Sequence, residues 1–302
     1  MAISVRQLHP LFVGEVAGVD LRTKLDEKSF SELAEAFDRY AVLVFHDQPI
    51  DAAQQVAFSE RFGRLEAKTT RVMRKADKLR LRSEFSDISN LDENNRMMAA
   101  DDRRLMFGLA NQLWHTDSSF TRVPAKASLL SAHIVPPEGG ETEFTDLRAA
   151  YDALPPAMKA ELEGLVAEHS IFHSRAQLGY TDFTPEERAG LPAVPQVLVR
   201  THPGSQRKTL YLASHASHII GWPRAEGEKL LAELMEFATQ RRFVYQHRWR
   251  VGDLVMWDNR CTMHRGMPWD MQKHPRDLRR TTVEDVGPTV PERMEDQAVA
   301  LG

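Results

Sequence analysis

SLLSAHIV, PPEGG and ETEFTD follow one another over residues 128–146. Paired Pro and Gly residues end one β-compatible run and open another, so the stretch reads as a strand, a turn and a second strand. Further short strand candidates are YAVLVFHD, QVLVRTH, KTLYLAS, FVYQHRW, DLVMWD and DLRRTTVED. Helical spacing is confined to a few stretches. Phe30, Leu33, Ala34 and Phe37 share one stripe, and Leu230, Leu231, Leu234, Phe237 and Ala238 share another. DAAQQVAFSERFG reads as a helix capped by Asp51 and closed at Gly63, and RAAYDALP and PAMKAELEGL as two helices split at Pro155–Pro156. The pattern predicts a mainly β chain with flanking helices, built on a double-stranded β-helix (jelly-roll) core.

The 302 residues, 42% of them apolar, suffice for one large core, and a single domain over 1–302 is predicted. Within it, residues 64–110 are charged, Met-rich and irregular and read as a lid excursion, and the tail from about 287 reads as loosely held. Charge is nearly balanced, 39 basic against 43 acidic residues, which gives no pull toward nucleic acid or an anionic membrane. One run departs from this balance: RVMRKADKLRLR (71–82) is either the mouth of a site for small anions or a solvated face. MAISVRQLHPLF lacks a long apolar stretch and no later run approaches a membrane span, so neither export nor insertion is expected. The one cysteine, Cys261, excludes an internal disulfide and suits the cytoplasm.

The chemistry concentrates in NQLWHTDSSF, residues 111–120. On a strand, His115 and Asp117 would project an imidazole and a carboxylate from one face, either as an ordinary polar pair or as half of a metal site. MWDNRCTMHRG supplies a second histidine, His264, after a strand-like run. Two histidines and one carboxylate are the count for a facial triad on non-haem Fe(II), with positions left open for reactants. A structural zinc needs four ligands. Cys261 could supply a fourth through its CxxH spacing, although a lone Cys among apolar residues is more often packed. The pairs His215/His218 and His169/His173 lack a carboxylate at useful spacing and read as core or supporting histidines. In HPRDLRRTTV, period two sets Arg276, Leu278 and Arg280 on one face and Asp277 with Arg279 on the other. Inward guanidiniums require anions, from bound ligands or from internal carboxylates.

WHTDSSF, PPEGGETEF, VGDLVMWDNRCTMHRG and RDLRR together resemble the taurine dioxygenase family of Fe(II)/2-oxoglutarate oxygenases, and within it the group acting on 2,4-dichlorophenoxyacetate. The likeness runs from LHPLF to about residue 285. It implies His115, Asp117 and His264 as iron ligands, and Arg276 with Thr142 on the distal carboxylate of 2-oxoglutarate. It implies Arg280 on the anionic end of the substrate, and Asn111 and Trp257 as residues lining the co-substrate site. His215 and Arg71 are further candidates for substrate contact, Arg71 standing where the resembling enzymes carry Lys. The implied reaction uses Fe(II), 2-oxoglutarate and O2 to hydroxylate a small carboxylate, giving phenol, glyoxylate, succinate and CO2 from an aryloxyacetate. A taurine- or alkylsulfonate-type dioxygenase and a non-catalytic metal-binding jelly-roll protein are the alternatives. Partners implied are a small anionic substrate and other copies of the chain, as a dimer or higher.

Overall fold

Asp26 accepts a hydrogen bond from the Ser29 amide and so starts the helix Glu27–Tyr40, whose buried stripe is Leu33, Ala36, Phe37 and Tyr40. Ala41, at φ +58, turns the chain directly into a strand. The next helix, Ala52–Glu60, begins with a reciprocal capping box between Asp51 and Gln54. The computed structural model describes residues 3–66 and 79–291. Arg71 and most of the basic run lie outside the described residues, as does the tail beyond residue 291.

Among the described residues, seven strands form one sheet in the order β1 (Ser4–Gln7), β2 (Gly14–Ala17), β3 (Val42–Phe45), β13 (Leu254–Asp258), β5 (Ala125–Ile134), β15 (Asp277–Glu284) and β4 (Phe85–Ser89). Every neighbouring pair is antiparallel except β2 and β3. A smaller sheet orders β12 (Val244–His247), β6 (Thr142–Asp146) and β14 (Thr262–Gly266). A third contains β11 (Ala216–Ile219), β7 (Val166–His169) and β8 (Val194–Val197), and β9 (Val199–Thr201) pairs with β10 (Lys208–Leu210).

Alternation along the central strands divides the core into two faces. Leu43, Phe45, Leu129, Leu254 and Met256 pack with Leu33, Phe37 and Phe58 of the first two helices. Val42, Val44, Leu130, Val255, Trp257 and Leu278 point the other way and meet Phe144 of β6. The PPEGG reversal joins β5 to β6 with both glycines in the left-handed region, Gly139 at φ +75 and Gly140 at φ +73.

The predicted mainly β jelly-roll is overturned. Helices and strands occupy similar lengths of described chain, and the large sheet ends at β1 and β4 without closing, so the fold is mixed α/β. Two physical facts account for the difference. Alternation identifies a strand and its buried face but not its partner, so closure cannot be read from it. The helices Arg103–Gly108, Ile171–Ala176 and Pro185–Gly190 are six residues each, too short to display an apolar period. No described helix is long and apolar enough to cross a membrane.

Of the basic run, Arg80 belongs neither to a solvated face nor to an open mouth. Its side chain is 4% exposed and bridges Asp87 on β4 to Asp277 on β15, each at 2.7 Å. Removing one member of a buried pair leaves charges uncompensated. Arg80→Leu is therefore expected to lower unfolding stability by about 3–5 kcal/mol in urea denaturation, and a loss below about 1 kcal/mol would contradict this role.

Candidate active site

His115 and His264 meet through their backbones. The His115 amide donates to the His264 carbonyl at 3.0 Å and the His264 amide to the His115 carbonyl at 2.8 Å, an isolated antiparallel bridge. Residues opposed in this way project side chains to the same side, and the two rings lie 4.2 Å apart. His264 sits mid-strand on β14, but His115 belongs to no longer strand: the chain turns immediately after it, with Ser118 at φ +52. The expected strand through 115–117 is thus a single bridge. Asp117 nevertheless comes to the same side, 3.8 Å from Nε2 of each histidine.

The tautomer and charge states suit ligation. His115 Nδ1 lies 2.8 Å from the Leu113 carbonyl, which fixes its proton there and leaves the Nε2 lone pair facing Asp117. Burial lowers the pKa of His115, against the pull of Asp117, and drives that of His264 well down, so both rings are neutral. Burial is the largest single influence on the Asp117 carboxyl and raises it, but Arg280, the metal-site histidines and the Ser128 hydroxyl together outweigh burial and hold Asp117 below the usual carboxylate range. Two neutral imidazoles and one ionised carboxylate, with candidate donor atoms within 4.8 Å of one another, fit a divalent metal bound by three protein ligands. Cys261 does not join them. It is grouped with His202 and Asp258, where Asp258 is already ion-paired to Arg260, and burial pushes the thiol far above its usual range.

A chain of hydrogen bonds orients the carboxylate. Ser128 Oγ donates to Asp117 Oδ2 at 2.7 Å and accepts from Asn259 Nδ2 at 2.9 Å. Asn259 Oδ1 accepts from the Asp117 amide and from Trp257 Nε1, both at 3.1 Å. Trp257 also packs its ring 4.6 Å from that of His264. Ser128 and Asn259 were not singled out by the sequence, although Asn259 directly follows the strand that carries Trp257. Asn111 lines the same cavity from the short turn Leu109–Gln112.

Arg276 precedes β15 beside a register shift at Asp277/Leu278. It is buried, its Nη2 donates to the Gly140 carbonyl at 3.2 Å, and Trp269 covers it at 4.9 Å. No carboxylate pairs with it among the described residues, and burial pushes its pKa down to about 10. Thr142 Oγ1 accepts from Trp249 Nε1 at 3.0 Å, which leaves its own proton to donate. Both residues line the cavity that contains the triad. Arg280 lines it too, donating through Nη1 to Asp117 Oδ1 while its Nε is buried without a partner. Asp277 and Arg279 turn the other way, to Arg80 and to each other.

His215 faces the cavity with its ring 6.2 Å from that of His115, and burial keeps it neutral. His218 instead lies 3.8 Å from Glu168, and His169 is buried against Ser119. One cavity residue escaped the sequence reading. Arg175, on the helix Ile171–Ala176, is buried, has no carboxylate partner among the described residues, and is pushed down to about 10 by burial and by Arg280. No motif or period surrounds it.

Comparison with known proteins agrees with this geometry. The profile described as taurine catabolism dioxygenase TauD, TfdA family matches residues 4–282. The chain is 49% identical over 285 residues to an alpha-ketoglutarate-dependent 2,4-dichlorophenoxyacetate dioxygenase of Cupriavidus pinatubonensis, covering 94% of this chain and 99% of that protein. It is 39% identical to an (S)-phenoxypropionate/alpha-ketoglutarate-dioxygenase of Sphingobium herbicidovorans, covering 89% and 91%. The crystal structure of AAD-2 in complex with Mn(II) and N-oxalylglycine superposes with a TM-score of 0.89 at 50% identity, covering 97% of this chain and all of that one.

Ser128→Ala removes the hydroxyl that aims Asp117 while leaving all three ligands. It is expected to weaken divalent metal binding by about 10- to 100-fold with an unchanged circular dichroism spectrum, whereas alanine at His115, Asp117 or His264 should abolish stoichiometric binding. Calorimetric titration with Fe(II) under argon distinguishes these outcomes, and wild-type affinity in any triad variant would refute the site.

Proposed function

The chain belongs to the taurine catabolism dioxygenase TauD, TfdA family and is an Fe(II)- and 2-oxoglutarate-dependent dioxygenase, and on that premise we propose that its substrate is a small aryloxyacetate of the 2,4-dichlorophenoxyacetate type. Hydroxylation of the carbon between ether oxygen and carboxylate gives a hemiacetal. The bond from that carbon to the ether oxygen then breaks and the hydroxyl proton passes to the departing oxygen, yielding phenol and glyoxylate, while 2-oxoglutarate becomes succinate and CO2.

The observation that carries the co-substrate side of this reading is the unneutralised guanidinium of Arg276, buried beside the donating hydroxyl of Thr142 in the triad's own cavity. A buried cation without an anion is costly, and a planar guanidinium suits a carboxylate held in bidentate fashion. Arg276 and Thr142 thus take the far carboxylate of 2-oxoglutarate. His115, Asp117 and His264 hold the iron, which when bound supplies the O2 chemistry that no side chain here can perform. Arg280 meets the carboxylate of the primary substrate. Asn111 and Trp257 shape the co-substrate side, and Phe120, packed 4.8 Å from the neutral ring of His215, gives the aryl group an apolar wall. Together these groups orient the reacting carbon and exclude water. Arg71, the remaining candidate for substrate contact, lies outside the described residues.

Arg276→Ala is expected to raise the KM for 2-oxoglutarate with little change for the primary substrate. Arg280→Ala is expected to weaken primary-substrate binding by about 2–4 kcal/mol, to leave the 2-oxoglutarate KM near normal, and to increase succinate formed without phenol. Steady-state kinetics with both products measured test the assignment, and exchanged effects would mean the two arginines serve opposite ligands. The substrate class is tested by scoring succinate release across aryloxyacetates, 2-phenoxypropionates, taurine and alkylsulfonates. Aryloxyacetates should lead; a sulfonate turned over faster would overturn the reading.

A further inference from the structure

Arg175 stands apart from the arginines already assigned. Its residue is 7% exposed, its Nε is buried with no hydrogen-bond partner, and it lines the same cavity as the triad and Arg280. Its Nη1 donates to Ser174 Oγ at 3.0 Å and Phe107 covers its planar face at 4.2 Å. With one face occupied by a ring and one amino group held by a hydroxyl, the edge bearing Nε is the part left to bind. Phe107 supplies some cation–π attraction, but not the in-plane acceptors a guanidinium needs. The charge of Arg280 opposes that of Arg175 across the cavity, and among the described residues no carboxylate offsets it there. Arg280, by contrast, already has Asp117. The fold therefore leaves a desolvated cation whose compensation must come from a ligand.

We propose that Arg175 is a substrate-binding residue that grips the anionic group of the primary substrate jointly with Arg280, so that the anion bridges two guanidiniums on the side of the cavity away from Arg276. The assignment rests on the reading of the substrate as a small anion. It also gives Ser174 a second use. Ser174 Oγ donates to the Ile171 carbonyl at 2.8 Å and so accepts from both Arg175 and His215 Nδ1, the latter at 2.9 Å. Arg175 and His215 are thereby fixed by one hydroxyl, and His215 presents its unprotonated Nε2.

A purely structural Arg175, acting by packing or by steadying His215, would affect charged and neutral ligands alike. The test is calorimetric binding to the Fe(II)- and 2-oxoglutarate-loaded protein under argon, without turnover. The ligands are phenoxyacetate and its neutral isostere phenoxyacetamide, and 2-phenoxyethanesulfonate with its sulfonamide. Wild-type protein should prefer the anion of a pair. Arg175→Gln is expected to reduce that preference by about ten-fold or more while leaving neutral-ligand and 2-oxoglutarate affinity within about two-fold, and Arg175→Lys should restore most of it. Equal weakening of charged and neutral ligands, a preserved anion preference in Arg175→Gln, or a selective loss of 2-oxoglutarate would each overturn the proposal. A wild-type protein that prefers the sulfonate would refute the aryloxyacetate reading alone, since the Arg175 comparison is then read on the sulfonate pair.

Discussion

Two reciprocal hydrogen bonds between the backbones of His115 and His264 set the geometry of this molecule's chemistry. One partner lies on β14, held by β6, and the other in a turn far earlier in the chain. Because the pairing is between main-chain atoms, the two imidazoles are brought side by side independently of any bound ion. The same strand register continues outward. His264 opposes Phe144 and Gly266 opposes Thr142, so the donating threonine shares a face with the ring that packs against His264. Thr142 also opposes His247 on β12, two residues before the Trp249 that fixes its hydroxyl. His264 and Thr142 are therefore held on one small sheet, which His115 joins through its bridge.

The opposite wall is electrostatic in character. β15, pinned between β5 and β4 and locked by Arg80, delivers Arg280 to the cavity, and Arg276 enters just before it at the register shift. Asp117 is ionised because Arg280 and its other polar neighbours together overcome its burial, whereas Arg276 and Arg175 have no carboxylate partner among the described residues and are pushed downward by burial. Cations left uncompensated in the interior cost stability, and anionic ligands that bind the folded state return it. On the proposed function, folding and ligand binding are thermodynamically linked through Arg276 and Arg175.

The chemistry was more legible than the architecture. His115, Asp117 and His264 stood out because metal ligation needs particular side chains in a particular number, and the period of HPRDLRRTTV separated Arg276 and Arg280 from Asp277 and Arg279. The helix stripe of Leu33 and Phe37 and the Asp51 cap were equally visible, since both are local. Sheet closure was not, because the order β3-β13-β5-β15 depends on pairings between distant segments that alternation alone cannot specify. Ser128, Asn259 and Arg175 were hidden for a related reason: each matters only through a neighbour supplied by tertiary structure. Arg80 shows the reverse error, a residue in a visibly basic run whose charge is consumed internally by Asp87 and Asp277.

The proposed function joins, in one cavity, a three-ligand metal site to a carboxylate clamp made by Arg276 and Thr142. A crystal structure of the protein grown without oxygen in the presence of Fe(II) and 2-oxoglutarate tests it most directly. The expected result is a single iron on His115, Asp117 and His264, with the far carboxylate of 2-oxoglutarate on Arg276 and Thr142 Oγ1. Iron at His202, Asp258 and Cys261, or a co-substrate carboxylate seated on Arg280 with Arg276 unoccupied, would contradict it.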